Sequence, residues 1–127
     1  KSYKTEILDN GVLQYTDGKD KNSYAHYYWI FPNIMLNFYD WGLSINIVEP
    51  ISLNKTRIKF LSYPIKDTDN LNEKIDELHK VEMEDEKVVL NVQKGIQSRF
   101  YKNGRYSANH EQGTHYFHQL ICKYLSK

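Results

Sequence analysis

Two hydrophobic periods divide the chain. From about residue 3 to residue 63, apolar and polar positions alternate in short runs, the period of half-buried strands. Strands are expected over residues 4–8 and 12–15, with Asp9-Asn10-Gly11 as a hairpin turn between them. A polar loop follows over 17–23, then a strand over 25–31. Pro32-Asn33 interrupts it, because proline cannot donate to a ladder. Extended structure resumes over 34–39, turns at Asp40-Trp41-Gly42, and alternates again over 43–49. There Leu43, Ile45 and Ile47 share one side, and Ser44 and Asn46 the other. Residues 50–54 read as a connection, and 56–63 as the last strand.

The period then lengthens to that of a helix. Thr68 or Asp69 is the expected N-cap. The periodicity runs from about 68 to 99, with Gly95 as a weak spot and a break conceivable over 79–84. Lys102-Asn103-Gly104-Arg105 reads as a turn, and 107–113 as irregular. Thr114 is the expected cap of a final helix over 114–126, whose apolar face is Phe117, Leu120, Ile121, Tyr124 and Leu125. Strands first and helices afterwards argue an α+β fold: an antiparallel sheet of about five or six strands with helices on one face. No repeat, linker or low-complexity tract divides residues 1–127, which are expected to form a single domain.

The longer helix holds one discordant residue. Around a helical wheel, Leu78, Val81, Val88, Val89, Val92 and Ile96 cluster about Asp85, while Glu84 and Glu86 point about 100° away on either side. A carboxylate centred on an apolar stripe is costly unless it is paired, protonated or bound to a metal. The residues alone leave two readings open: a metal or acid–base role, or a buried salt bridge to Arg99 or Arg105.

Composition narrows the rest. With 40% hydrophobic and 26% charged residues, the chain is that of a folded protein. Its formal net charge of +1, with no basic stripe, gives no argument for nucleic acid. No apolar run is long enough to span a membrane. Cys122 is the only cysteine, which excludes an internal disulfide and a thiolate-held cluster. Set mid-helix among apolar residues, it reads as a buried structural thiol. A reducing, cytoplasmic location is expected, since the opening residues lack the apolar run of a signal peptide. They also lack an initiator Met. The 14% aromatic content clusters at Tyr24, Tyr27, Tyr28, Trp29 and Phe31 and at Phe38, Tyr39 and Trp41. Such rings suit sheet faces first and a pocket wall second. His115 and His118 with Glu111 could make a small metal site, but packing, capping and hydrogen bonding are the commoner uses of such spacing. His118 lies near the apolar face, where burial would demand a partner.

Five segments, in order, carry a resemblance: Trp29-Ile30-Phe31-Pro32-Asn33-Ile34-Met35-Leu36-Asn37, Glu82-Met83-Glu84-Asp85, Val92-Gln93-Lys94-Gly95-Ile96-Gln97-Ser98, Gly104-Arg105-Tyr106-Ser107 and His115-Tyr116-Phe117-His118. Together they resemble the catalytic domain of Rieske non-haem iron oxygenase large subunits, in the ring-hydroxylating and choline–carnitine monooxygenase-like branch. The resemblance implies a helix-grip (START/Bet v 1-like) fold, here as a partial domain. It implies a mononuclear Fe(II) held by two histidines and one carboxylate, and a [2Fe-2S] cluster in a separate N-terminal domain. By position the carboxylate is Asp85, with Glu82 its acidic companion. Met35, Asn37 and the stripe around Val89 are expected to wall the pocket. Electrons are expected from a reductase or ferredoxin, usually across a boundary in a homotrimer, and the substrate is a small aromatic or quaternary ammonium compound. The cluster ligands and the paired histidines have no counterpart here, so the chain resembles roughly the last third of a large subunit. Alone it is expected neither to hold catalytic iron tightly nor to turn over. The rival expectation is a non-enzymatic helix-grip module binding an apolar ligand, with Asp85 locked to an arginine.

Overall fold

The computed structural model describes residues 3–16 and 25–126. The polar loop expected over 17–23, with Tyr24, lies outside them. The fold is α+β. Its elements are β1 (Tyr3–Leu8), β2 (Gly11–Thr16), β3 (Ala25–Ile30), β4 (Ile34–Tyr39), β5 (Gly42–Ser52), β6 (Lys55–Pro64), α1 (Leu71–Ile96) and α2 (Gln112–Leu125). The strands make one antiparallel sheet in sequence order, β1 to β6. Each alternating run therefore pairs with its neighbour in sequence, the simplest route for consecutive strands.

The strand boundaries follow the alternation closely, with one correction. Residues 50–54 are not all connection: β5 continues through Pro50 to Ser52, with a register shift between those two residues. A bulge lets the strand pass a residue that lacks an N–H. At the β3–β4 turn, the Asn33 side-chain amide donates to the Val48 carbonyl at 2.9 Å, and the Val48 N–H donates to the Asn33 carbonyl at 3.0 Å. The turn is thereby tied to β5.

Both helices begin away from the expected caps. Asp67 and Asn70 have φ of 63° and 53°, a left-handed conformation that Asn and Asp tolerate better than other residues with a side chain. It keeps 68–70 out of the helix, so α1 starts at Leu71, and Asn70 stands at the N-cap position without a side-chain cap bond. The helix is continuous to Ile96, with no break over 79–84. At α2 the Glu111 carboxylate accepts from the Ser107 N–H at 2.6 Å, and the Glu111 carbonyl accepts from the His115 N–H at 2.9 Å. The helical ladder thus opens two residues before Thr114, which lies inside the helix.

The chain divides into two compact units, Lys1–Ile65 with Tyr106–Lys127, and Lys66–Arg105. In the first, α2 seats on the sheet. Phe117 meets Trp29 edge-on with centroids 5.0 Å apart, Tyr124 stacks on Phe31 at 4.8 Å, and the Tyr116 hydroxyl donates to the Asp9 carbonyl at 2.6 Å. Leu120 is 3% exposed, and Val12, Ala25 and Trp41 are buried with it in this unit. The second unit is α1 with its flanking turns. No residue of α1 is buried.

Candidate functional site

The first candidate lies on α1. Asp85 occupies the middle of the helix and is exposed. Among the described residues its side chain forms no ion pair or hydrogen bond, with Arg99, Arg105 or any other group. The Arg99 guanidinium instead sits over the Phe100 ring, 4.7 Å from its centroid. The salt-bridge reading is not realised. The expectation that Asp85 faces a covered core is also corrected, because Val81, Val88, Val92 and Ile96 are exposed and Val89 is 65% exposed. A helix satisfies its own backbone bonds, so its period fixes which face is apolar without supplying a surface to cover it.

Glu82, one turn before Asp85, behaves differently. Its side chain is only 13% exposed, its Oε2 is 3.8 Å from His79 Nδ1, and its Oε1 has no hydrogen-bond partner. Burial pushes its carboxyl above the ordinary value, and the nearby imidazole pulls it back in part. The companion acid is thus the protected group and Asp85 the accessible one. An exposed, unpaired carboxylate can donate one ligand to a hard or borderline cation. Among the described residues no three His, Cys, Asp or Glu are grouped to hold a metal. The residues fit one ligand of an iron centre, and not a complete set.

The histidines of α2 are engaged otherwise. The Tyr106 hydroxyl meets His118 Nδ1, Tyr106 packs on the His115 ring at 5.0 Å, and the Glu111 carboxylate is taken by the Ser107 N–H. Cys122 is exposed, which corrects its expected burial, and His118 near the apolar face is exposed as well. Each lies two residues from the buried Leu120, and at about 100° per residue the helix carries both off the narrow covered stripe.

The second candidate lies wholly within the sheet–α2 unit. A cavity of about 430 Å³ is bounded by the sheet and by the start of α2, within the usual size range of small-molecule sites. Register explains its floor. Val12 pairs with Trp29, Gln14 with Tyr27, Trp29 with Met35 and Tyr27 with Asn37, so these six side chains share one face. Phe117, Gly113, Thr114 and His110 close it from the helix side. A side chain at Gly113 would place its Cβ 3.3 Å from Val12 Cγ1, so glycine permits the close approach of α2. Of the expected wall residues, Met35 and Asn37 line this cavity, while Val89 belongs to the other unit.

Alternation alone did not reveal which face turns inward. On β5 the Ser44 side is interior: Ser44 is fully buried and its hydroxyl donates to Asn46 Oδ1 at 3.2 Å. Phe117 was expected only on the apolar face of the last helix, and Tyr27 and Trp29 only within an aromatic cluster. The two-residue spacing of Tyr27 and Trp29 on β3 was the available signal for a common wall.

A family profile described as ring hydroxylating alpha subunit (catalytic domain) matches residues 4–127. The chain is 31% identical over 133 residues to "Choline monooxygenase, chloroplastic" of Arabidopsis thaliana, covering 94% of this chain and 31% of that protein. It is 28% identical to the protein of the same name in Atriplex hortensis, covering 98% and 31%, and 28% identical to that of Beta vulgaris, covering 92% and 29%. The chain therefore spans about a third of the length of these curated relatives. No solved structure matches it. The cytoplasmic expectation is overturned, because these relatives are all chloroplastic. A lone cysteine excludes internal disulfides without distinguishing one reducing compartment from another. No described helix is long and apolar enough to cross a membrane.

Proposed function

The chain belongs to the ring-hydroxylating alpha-subunit family, in its catalytic domain, and from that premise we propose that it forms the C-terminal part of an iron-dependent oxygenase. The observation that carries the reading is the family match over residues 4–127. Both units belong to one catalytic domain, and its sheet and helices form a helix-grip. Asp85 supplies the anionic ligand of a mononuclear Fe(II). The histidine ligands and a [2Fe-2S] cluster belong to the rest of the parent protein, which assembles as a homotrimer and takes electrons from a reductase or ferredoxin. Bound iron supplies the redox chemistry that couples O2 to hydroxylation or demethylation of an organic substrate.

The roles left to this chain are local. Asp85 is free to ligate because no ion pair among the described residues must first be broken. Glu82, one turn away, is the partly buried acid of the pair, and burial pushes its carboxyl above the ordinary value. The substrate class is a quaternary ammonium alcohol, the class named by the plant relatives. An aromatic-walled cavity supports this, since ring faces attract a diffuse cation.

The test is Asp85→Ala in the whole parent protein. Iron content is expected to fall at least about tenfold, with turnover lost, while Glu82→Ala retains iron. Even altered support of metal ligands costs about 10–100-fold, so wild-type iron content in Asp85→Ala would overturn the assignment. The 127-residue chain alone is expected to show no tight, stoichiometric Fe(II) binding.

A further inference from the structure

Asn37 combines three properties found together nowhere else on the cavity wall. It is 9% exposed, its side chain has no hydrogen-bond partner among the described residues, and it lines the cavity. Its atoms are not among those sealed from solvent, so the cavity is where the amide finds water. With no protein partner, the amide is left to pair with water or a ligand in the cavity. Other polar groups of the wall are less buried. Gln14 Nε2 donates to Thr5 Oγ1 at 3.5 Å, the Tyr27 ring packs near Tyr3 and Tyr39 with centroids 6.1 and 5.9 Å away, Tyr28 is half-buried, and His110 and Thr114 are exposed. Asn37 faces Tyr27 across the β3–β4 pair and lies two residues from Met35 on the same face.

We infer that Asn37 is a specificity-determining residue, an amide that hydrogen-bonds the hydroxyl or carbonyl end of a small organic ligand in this cavity. The rest of the ligand packs against Trp29, Tyr27 and Phe117. The described lining residues include no Asp, Glu, Lys or Arg. An anionic ligand would lack a counter-charge, whereas a neutral ligand or a soft cation held by ring faces would not need one. The amide offers both a donor and an acceptor, so it can meet an alcohol in either sense. At about 430 Å³ the cavity displaces on the order of a dozen waters, enough for a compact molecule with its polar end anchored. The choice of a quaternary ammonium alcohol as probe rests on the proposed function; the cavity and its anchor do not.

The test is a titration of the full chain with choline, with ethyltrimethylammonium, which lacks the hydroxyl, and with dimethylbutanol, the neutral carbon isostere of choline. The readout is the indole N–H resonances of Trp29, in the wall, and Trp41, outside it. Choline is expected to shift Trp29 and spare Trp41, and to bind about three- to tenfold more tightly than ethyltrimethylammonium, the value of one net hydrogen bond. In Asn37→Leu that ratio is expected to collapse to one while ethyltrimethylammonium binds as before. Equal affinities in the wild type, shifts at Trp41 rather than Trp29, or no binding by any probe would overturn the inference. The wild-type ratio decides even if Asn37→Leu does not fold. Dimethylbutanol binding as tightly as choline would uphold Asn37 as the anchor while removing the quaternary ammonium reading.

Discussion

The sheet–α2 unit and α1 both carry apolar side chains, to different ends. In the first, Leu120, Val12, Ala25 and Trp41 are buried, and aromatic pairs join helix to strands. In the second, the valines of the stripe are exposed along the helix. A strand must find a partner for its backbone, so pairing brings neighbouring side chains together as the sheet forms. A helix closes its hydrogen bonds within itself and can display an apolar face that nothing else in its unit covers. The candidate groups divide the same way: the buried, unpartnered amide Asn37 in one unit, the exposed, unpaired carboxylate Asp85 in the other.

The sharpest way to break this comparison is to delete the same kind of volume in both units. Leu120→Ala is expected to cost about 3 kcal/mol, a transfer term plus a cavity, read from a urea transition followed by tryptophan fluorescence. Val89→Ala on α1 is expected to stay within about 0.5 kcal/mol, because no packed contact is lost and alanine favours helix. A loss at Val89 as large as that at Leu120 would mean the stripe is covered.

Two glycines give a smaller version of the same contrast. At Gly11, an added Cβ would lie 2.2 Å from the Trp29 carbonyl oxygen, so Gly11→Ala must shift backbone and is expected to cost about 1–3 kcal/mol. At Gly95 it would meet nothing within 4 Å. Gly95→Ala is expected to stabilise α1 by about 0.5–1 kcal/mol, seen as a raised midpoint in helical far-UV ellipticity.

These contrasts also mark how far the sequence could be read. The strands were legible because alternation and turn residues report local geometry: β4 falls on 34–39 as expected, and Asp9-Asn10-Gly11 does turn between β1 and β2. The helix starts were not, since left-handed Asn70 and the Glu111–Ser107 bonds are local choices that ordinary cap preferences do not encode. Met35 and Asn37 entered as wall residues through the family resemblance, and alternation by itself did not single them out. That Ser44 and Asn37, rather than Leu43 and Ile45, would be the most buried side of their strands was not, because alternation names two faces and does not say which one a helix covers. Asp85 drew notice for burial that it does not have, while the partly buried acid is its companion.

That companion supplies the smallest and most specific prediction. Glu82 has its carboxyl pushed up by burial, with His79 opposing. The unfolded chain binds and releases that proton near the ordinary value of 4.5. Folded, the group holds its proton to higher pH, so the folded state binds more protons across the interval between the two values. Stability from this group is fully present below the unfolded value and is lost as pH rises through the raised one. His79, with its side chain 68% exposed and its ring nitrogen 3.8 Å away, can offset the carboxylate only in part. Glu82→Gln keeps the shape and removes the titration. Its α1 unit is therefore expected to lose the decline between pH 4.5 and the raised value, while Glu84→Gln, at an exposed neighbour, leaves the decline in place. Helical ellipticity followed through urea at several pH values separates the two. A decline that persists unchanged in Glu82→Gln would show that the side chain protected in α1 is not the one that titrates.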